Sequence, residues 1–352
     1  MKILVVNPGS TSTKVAIYDN EKLLFEENIK HSKEEINHCK TLSDELPIRK
    51  KAIELFLKEK NHDIFSFDAF SGRGGPLKPL KAGVYNVTKK IVDDINNGNY
   101  QTLHASLLGS MIVYDFHVAT GKPAFIVDPI STDEMADIAR ITGHPKIKFA
   151  ALTHALNVRA CARKTAKDLG LDFFNSNFIV AHLGGGISIN AVSKGKIVDV
   201  LEGRQTGPFS PTSCGVLPVK TVVKLIIKGE LKIEEIEDLF SKNGGLTAYF
   251  GTDDVKELLE RSKTDENVKK ILEAMCFQIA KAINAQKTIL RGIYEGIIIT
   301  GGLAKSDVIL DWIKRWLPEN EKYYIIPGEH EMEALALGAL RALRKEEEIL
   351  EY

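Results

Sequence analysis

The segment NPGSTSTK, residues 7–14, places hydroxyl groups, an amine and a glycine between two apolar runs. Its candidate ligand donors are Asn7, Ser10, Ser12 and Lys14, while Gly9 allows the backbone to approach a ligand closely. Neutral donors, one cation and backbone amides together suit a polyphosphate. The alternative is a surface turn rich in serine and threonine, and the GxxxxGK[ST] spacing of a P-loop is absent.

Two further glycine turns follow apolar runs that predict strands. They supply the candidate binding residues His182, Gly184, Gly185, Gly186, Gly301 and Gly302. Ligands of open α/β sheets bind beyond the carboxyl ends of the strands. Two phosphate turns facing a cleft would therefore hold a triphosphate, and the third would accept a base and ribose against bare backbone. Taken alone, the triple glycine is also typical of a bulge or a tight bend.

Charged side chains stand at the ends of other predicted elements. Arg73, among glycines, suits bidentate capture of a carboxylate or phosphate, and is otherwise a surface arginine. Asp128 ends a buried strand and suits Mg²⁺, or else caps the turn at Pro129. His154, at a helix start, would stabilise a transferring phosphoryl group or belong to the core. Glu331, with Glu329 as the alternative two residues away, would be an outer metal ligand or an acidic residue favoured by a helix dipole.

An internal repeat indicates how these residues are positioned. Shifted by 175 positions, the opening segment meets FIVAHLGGGISINAVSKGKIVDV, so that Asn7 falls on His182 and Gly9 on Gly184. Both copies predict a three-strand meander with its polar turn in the same place. Elsewhere predicted strands alternate with helices, which favours an α/β fold with mostly parallel central strands. The predicted helices include 51–60, 102–121, 153–170, 268–291 and 331–350.

Composition limits the class of protein. The 352 residues suffice for about two domains, and zero formal net charge argues against a general binder of nucleic acid or anionic membranes. The four cysteines form no CxxC pair, so we expect thiols of a reducing cytoplasm rather than disulfides or a zinc site. No apolar run approaches the ~18 residues of a membrane span, and no signal peptide precedes the first strand. We expect a cytoplasmic protein.

A set of motifs runs in order along the whole chain: NPGSTSTK, SGRGG, FIVDP with DEM.DIAR, HALN, AHLGGGIS, GPFSP, LTAYFGT, ITGGLAKS and PGE.EM.ALA.GALR. These motifs resemble those of the butyrate kinases in the acetokinase family. HALN and HLGGG are more similar to butyrate kinases than to acetate kinases. Because the match extends from the first strand to the last helix, the resemblance covers the entire sequence.

The resemblance implies the duplicated ribonuclease H-like fold of the actin-like ATPases, with an interdomain cleft. The N-terminal domain would comprise residues 1–135 plus 335–352, and the C-terminal domain residues 136–334. The implied reaction is reversible, Mg²⁺-dependent transfer of the ATP γ-phosphoryl group to butyrate or a branched short-chain acid, giving an acyl phosphate and ADP. The resemblance also implies a homo-oligomer, and domain closure would exclude water from the reaction.

Family roles carry over position by position. The first phosphate motif corresponds to Asn7, Ser10, Ser12 and Lys14, the second to His182 through Gly186, and the adenosine motif to Gly301 and Gly302. Arg73 matches the arginine that binds the substrate carboxylate, Asp128 and Glu331 match acidic residues linked to Mg²⁺, and His154 matches a histidine that steadies the phosphoryl group. Since a carboxylic acid is ionised at neutral pH, the reaction needs positioning and charge stabilisation rather than a general base.

One position departs from the family pattern. After GPFSP the family carries a second arginine, and Ser213 stands there in this chain. Arg204, in the preceding loop, is the candidate replacement for the missing charge. Loss of one transition-state donor without replacement costs on the order of 10²–10³ in rate.

Other functions remain as alternatives on the same fold. A sugar or polyol kinase would need a base for a neutral hydroxyl, and a nucleotide-binding module of the actin or Hsp70 type would bind ATP without acid-dependent turnover. A dinucleotide-binding oxidoreductase is disfavoured because no GxGxxG opens a helix after the first strand. The sequence does not fix acyl chain length, because one methylene is worth only about 1–3 kcal/mol in an apolar pocket.

Overall fold

A computed structural model describes the backbone of Met1–Tyr352 and every side chain except those of Lys33 and Asn37. The chain forms two compact units. Unit 1 comprises Met1–Glu134 and His330–Tyr352, and unit 2 comprises Met135–Glu329. The domain boundaries implied by the family resemblance lie close to these, at 135/136 and 334/335.

The secondary structure alternates strands with helices. The strands are β1 Lys2–Pro8, β2 Ser12–Asp19, β3 Lys22–Lys30, β4 Ala69–Gly72, β5 Val84–Asn86, β6 Ala124–Val127, β7 Asn177–Leu183, β8 Ile187–Ser193, β9 Lys196–Glu202, β10 Gly296–Gly301, β11 Tyr323–Pro327 and β12 Ile349–Leu350. The α-helices are α1 Lys33–Asn37, α2 Leu42–Glu59, α3 Lys89–Asn96, α4 Leu108–Thr120, α5 Ala155–Asp168, α6 Val219–Ile227, α7 Ile236–Ser241, α8 Gly245–Phe250, α9 Val255–Arg261, α10 Glu266–Gln286, α11 Asp307–Lys314 and α12 Glu331–Leu343. Short 3-10 helices lie at Ile64–Ser66, Ala105–Leu107, Asp137–Arg140, Phe173–Asn175, Ile233–Glu235 and Gly302–Lys305.

Both units contain the same five-strand arrangement. In unit 1 the order is β3-β2-β1-β4-β6, in which β1–β3 form an antiparallel meander and β4 and β6 are parallel to β1. In unit 2 the order β9-β8-β7-β10-β11 repeats this pattern of directions. Each meander also has a register irregularity at an equivalent place, between Ile17 and Tyr18 and between Ala191 and Val192. The predicted duplicated α/β fold is confirmed.

The polar turns of the two meanders differ by one residue. The register pairs Pro8 with Thr13 in unit 1 and Leu183 with Ile187 in unit 2, so the first turn is one residue longer. Each strand extends beyond the apolar run that predicted it, because the backbone ladder continues into the polar residues at the hairpin tip. The apolar run Ile3–Val6 is fully buried, which explains why hydrophobicity located the strand.

The C-terminus differs from the prediction. A helix is predicted to residue 350, but α12 ends at Leu343, and Lys345 has a φ of 60°. The charged run 344–348 offers no apolar face that would hold a further helical turn against the sheet. Instead, β12 pairs in parallel with β5 and adds an edge strand to the sheet of unit 1.

Helices pack against both sheets. In unit 2, Ile179 and Ala181 of β7 pack in one cluster with residues of α10, and Phe178 and Val180 pack in another with residues of α5, so both faces of this sheet are covered. In unit 1, α4 and α12 pack on the central strands, and in unit 2, α5 and α10 do so. The two sheets have separate hydrophobic cores. Among the described helices, none has the length and apolar character needed to cross a lipid bilayer.

Candidate active site

The first phosphate turn connects β1 and β2. Asn7 lies opposite Lys14 in the β1–β2 register, and the N–H of Gly9 donates to the carbonyl of Ser12 at 2.8 Å. Ser10 is exposed at the tip, while Ser12 and Lys14 are half-buried. The fold therefore brings the predicted donors of this motif together at one hairpin tip.

A buried arginine that sequence reasoning missed supports this turn. Arg49 of α2 is fully buried and donates from Nη1 to the carbonyl of Ser12 at 2.9 Å and from Nη2 to the carbonyl of Ser10 at 3.2 Å. Glu45, one helical turn earlier, accepts from its Nε at 2.9 Å and its Nη2 at 2.7 Å. Because the peptide bonds are trans, a carbonyl directed at Arg49 leaves the next N–H, such as that of Thr11, directed away from it.

A hydroxyl–imidazole pair extends this support. Thr13 is buried, accepts from Arg49 Nη1 at 3.0 Å and lies 2.8 Å from His31 Nε2. Burial lowers the pKa of His31, and the positive charge of Arg49 lowers it further. The neutral imidazole is therefore the form that suits this contact.

Arg73 lies in a buried glycine-rich loop after β4. The alternative of a surface arginine is wrong, because Arg73 is 8% exposed. The glycines serve close packing: a Cβ on Gly74 would lie 2.5 Å from Cβ of Pro129, and one on Gly75 would lie 2.6 Å from the side chain of Leu107. Only residues without a side chain allow the loop to lie this close to its neighbours.

The guanidinium of Arg73 meets the carboxylate of Glu331, the first residue of α12. Arg73 Nη1 is 2.5 Å from Glu331 Oε1, and Asn7 Nδ2 donates to Glu331 Oε2 at 2.9 Å. Arg73 Nε is buried and has no hydrogen-bond partner among the described residues. Burial lowers the pKa of His104, and the charge of Arg73 contributes to this. Unit 1 thus gathers Asn7, Arg73 and Glu331 into one polar cluster.

Asp128 follows β6 and is anchored by the backbone of Gly83. Its Oδ1 accepts the N–H of Gly83 at 2.8 Å, and its own N–H donates to the Gly83 carbonyl at 2.9 Å. Asp128 is buried and has a φ of 39°, which is uncommon for a residue with a side chain. The turn therefore fixes where this carboxylate lies.

The carboxylates allow a test of the predicted metal. No group of three or more His, Cys, Asp or Glu side chains in the described part of the chain could hold a metal ion. Mg²⁺ usually binds through one or two carboxylates, with waters and substrate phosphates completing its shell. The anchored carboxylate of Asp128 fits such a site. Glu331 has both carboxylate oxygens in contact with Arg73 and Asn7.

In unit 2, two predicted histidines stack on each other. The ring centroids of His154 and His182 are 4.0 Å apart, with 20° between the ring planes. His154 precedes α5 and its Nδ1 is 3.0 Å from Ser188 Oγ, while His182 lies in β7 with Nδ1 2.9 Å from Asn157 Nδ2. The helix start and the strand end therefore place both imidazoles at one site.

The triple-glycine turn lies under these imidazoles. The N–H of Gly184 donates to the carbonyl of Gly186 at 3.1 Å. A Cβ on Gly184 would lie 3.2 Å from His182 Nε2, and one on Gly186 would lie 3.9 Å from His154 Cε1. A side chain on Gly184 would therefore crowd the ring edge that carries His182 Nε2.

Hydroxyl groups from the GPFSP segment secure the same turn. Ser210 Oγ and Thr212 Oγ1 donate to the carbonyl of Gly185 at 2.6 and 3.0 Å. Sequence reasoning quoted this motif but did not select these two residues. The available signal was that Ser210 lies within GPFSP and Thr212 directly follows it, since the contact with Gly185 joins residues far apart in the sequence.

The third glycine turn, at Gly301 and Gly302, lies at the end of β10, and β10 is next to β7 in the sheet. Gly301 has a φ of 93°, and a Cβ there would lie 2.4 Å from the carbonyl oxygen of Leu183. Its N–H and carbonyl both pair with Gly328, at 3.1 and 2.9 Å. Around Gly302 a Cβ would meet no atom within 4 Å, so bare backbone borders open space. This suits a flat group such as a base.

Arg204 contacts an acidic neighbour. Its Nε donates to Glu202 Oε1 and its backbone N–H to Glu202 Oε2, both at 2.9 Å. Burial raises the pKa of Glu202, and Arg204 opposes that shift. Ser213 is buried, and its Oγ has no hydrogen-bond partner in the described part of the chain. None of the contacts described for Arg204 joins it to His154 or His182, so its predicted catalytic role stays a prediction.

Known proteins resemble this chain over its full length. Residues 152–311 match the acetokinase family model. A probable butyrate kinase of Thermotoga petrophila is 42% identical over 351 residues, covering 100% of this chain and 98% of that protein. One of Clostridium botulinum (strain Eklund 17B / Type B) is 40% identical, covering 100% and 99%. The crystal structure of Porphyromonas gingivalis acetate kinase superposes with a TM-score of 0.76 at 18% identity, covering 97% and 99%, which shows the same fold.

Proposed function

This chain belongs to the acetokinase family, and from that premise we propose that it phosphorylates butyrate or a branched short-chain acid. Its activity class is ATP-dependent phosphorylation of a carboxylate, which makes it a phosphotransferase. A carboxylate oxygen attacks the γ-phosphorus of ATP, the bond from that phosphorus to ADP breaks, and an acyl phosphate and ADP are released. The identity of the acid is the part that we propose.

The buried guanidinium of Arg73 is the observation that carries the assignment of the acid site. Its Nε hydrogen has no protein acceptor within the described residues, and an unpaired buried donor is costly. A substrate carboxylate would supply that acceptor through a charge-assisted hydrogen bond. The acid is therefore proposed to bind at Arg73, with its alkyl chain in the apolar surroundings of this loop.

The polar turns are proposed to bind the nucleotide. The proposed phosphate contacts are Asn7, Ser10, Ser12 and Lys14 in the first turn and Gly184–Gly186 in the second. Gly301 and Gly302 would accept adenosine, because the backbone there borders open space. Asp128 would hold Mg²⁺ together with phosphate oxygens and water, and the ion would neutralise charge on the transferring group.

The stacked histidines are proposed to donate hydrogen bonds to the transferring phosphoryl group. Positioned donors in a site that excludes water stabilise developing charge better than bulk water does. The acid is ionised at neutral pH, so none of these residues needs to remove a proton from it. A sugar kinase would need such a base, and the full-length relatives named as butyrate kinases do not favour that alternative.

The test compares acids and variants in a hydroxylamine-trapping assay for acyl phosphate. The acids are acetate, propionate, butyrate, isobutyrate, valerate and hexanoate, each with and without Mg²⁺. We expect turnover to be greatest with butyrate or a branched acid. The proposal would be contradicted if ATP were consumed equally fast with and without an acid, or if sugars were phosphorylated instead of acids.

The variant R73M tests the acid site. Loss of a hydrogen bond to a charged group, worth about 1.5–3 kcal/mol, should raise the KM for the acid roughly 10- to 150-fold and leave the KM for ATP unchanged. The matched control is R315M, since Arg315 directly follows α11, is exposed and pairs with Glu273. An R73M enzyme with an ordinary KM for the acid would remove Arg73 from the acid site.

A further inference from the structure

Asn157 of the HALN motif has no part in the function described above. It is fully buried on α5, and its side-chain amide lies between His182 of β7 and Thr300 of β10. We propose that Asn157 is a positioning residue that fixes His182 in the tautomer with its hydrogen on Nε2.

The neighbours of Asn157 determine which way its amide faces. Thr300 Oγ1 donates its single hydrogen to the carbonyl of Gly328 at 3.2 Å, so towards Asn157 it can only accept. The atom facing it, at 3.3 Å, is therefore the donor Nδ2. The thiol of Cys161 also donates to Thr300 Oγ1, at 3.4 Å, so this hydroxyl oxygen acts as the acceptor towards both neighbours.

The oriented amide determines where the imidazole carries its hydrogen. Asn157 Nδ2 is 2.9 Å from His182 Nδ1 and presents a hydrogen to it, so Nδ1 accepts. In a neutral imidazole the other nitrogen then carries the hydrogen. The stacked ring of His154 at 4.0 Å restricts rotation of His182 out of this plane.

The hydrogen lies on the edge of the ring that covers the glycine turn. His182 Nε2 is 3.2 Å from the place that a Cβ on Gly184 would occupy. Resting on the proposed function, this inference makes Nε2–H a donor to a phosphate oxygen held by the turn. The opposite tautomer would present a lone pair to a phosphate anion and repel it.

The position of the hydrogen is measured by ¹⁵N NMR on protein labelled at its nine histidines. The His182 signals are identified by their loss in H182Q. In the ligand-free wild-type protein we expect a protonated Nε2 and a bare Nδ1. A hydrogen on Nδ1 would overturn the inference. Because no substrate is present, this result does not depend on the proposed function.

The variant N157D exchanges a donor for an acceptor of nearly the same size. His182 should then carry a hydrogen on Nδ1, and kcat should fall on the order of 10²–10³-fold, with the KM for the acid unchanged. The matched control is N177D, because Asn177 Nδ2 donates to the carbonyl of Ile293 and not to an imidazole. The control should keep the wild-type tautomer and kcat.

A double-mutant cycle separates positioning from folding. If Asn157 acts through His182, N157D should cost little further activity in an H182A background. Equal losses in both backgrounds would reject the positioning role. If the wild-type tautomer is as expected but no acid is phosphorylated, the proposed function fails while the assignment of the hydrogen stands.

Discussion

The variant R49M tests how the first phosphate turn is held. It removes a fully buried guanidinium whose donors reach the carbonyls of Ser10 and Ser12 and the hydroxyl of Thr13. We expect it to destabilise unit 1 and to raise the KM for ATP, because the turn loses the contacts that fix its peptide planes.

The expected loss in free energy of unfolding depends on which groups lose their partner when methionine replaces Arg49. It is an unbranched side chain that fills irregular space well, so little packing is lost. The main cost is the carboxylate of Glu45, which is 16% exposed and loses its cation, together with two unpaired carbonyls. Breaking a buried ion pair costs about 3–5 kcal/mol, whereas an exposed pair one helical turn apart contributes only about 0.3–0.5 kcal/mol. We therefore expect the free energy of unfolding to fall by an amount near the range of about 3–5 kcal/mol for a buried pair.

Urea unfolding and steady-state kinetics measure the two effects. In R49M the urea concentration at the unfolding midpoint should fall. The dependence of the unfolding free energy on urea should stay constant, since the folded state remains compact. The double variant E45Q/R49M should recover part of the loss because no charge is stranded. The variant R49K should lie between wild type and R49M, because an ammonium cannot span the same acceptors as a planar guanidinium. If R49M lost less than about 1 kcal/mol of unfolding free energy and kept its KM for ATP, this reasoning would be refuted.

Three further predictions concern single residues. G184A should lower kcat because its Cβ would lie 3.2 Å from His182 Nε2, whereas G185A should not, since its Cβ would meet only a methyl group at 4.0 Å; equal kinetics in both would contradict this. Burial and a neighbouring arginine lower the pKa of His31, so stability should be full above about pH 6.5 and fall as the pH drops through the lower folded-state pKa. Urea midpoints across pH should flatten in H31Q, and an unaltered profile would exclude His31. R204A should lower kcat on the order of 10²–10³-fold if its charge replaces the missing arginine; kinetics close to wild type would exclude that role.

The fold was predictable where the sequence repeats a complete pattern. Each meander combines apolar runs with a polar turn, and these signals lie within one short segment. Strand β12 gives no such signal, because only Ile349 and Leu350 pair with β5 and their partners lie far away in the chain. Helical propensity in the charged run before them predicted a longer α12, and tertiary pairing overrides it.

The candidate site was predictable where polar or charged side chains stand at the ends of predicted strands. His182 precedes three glycines, and Asp128 ends an apolar strand, so type and position point to a ligand site. Neither Arg49 nor Asn157 stands at the end of a predicted strand, so the sequence does not single them out. Arg49 lies before the helix predicted at 51–60, since α2 begins earlier, at Leu42, and Asn157 is one polar residue in a predicted helix. Their roles depend on contacts with Thr13 and His182, which only the folded chain brings near them.

Glu331 illustrates how a contact changes the interpretation of a motif. Its place at the start of the last helix linked it to a metal, but its carboxylate lies against Arg73 and Asn7. A buried guanidinium without a counter-charge would be costly, so Glu331 accounts for how Arg73 is buried in the absence of substrate. An arriving carboxylate brings a second negative charge to the same cation and must share it with Glu331. Because Asn7 belongs to the first phosphate turn, a single carboxylate of α12 contacts both predicted ligand sites of unit 1.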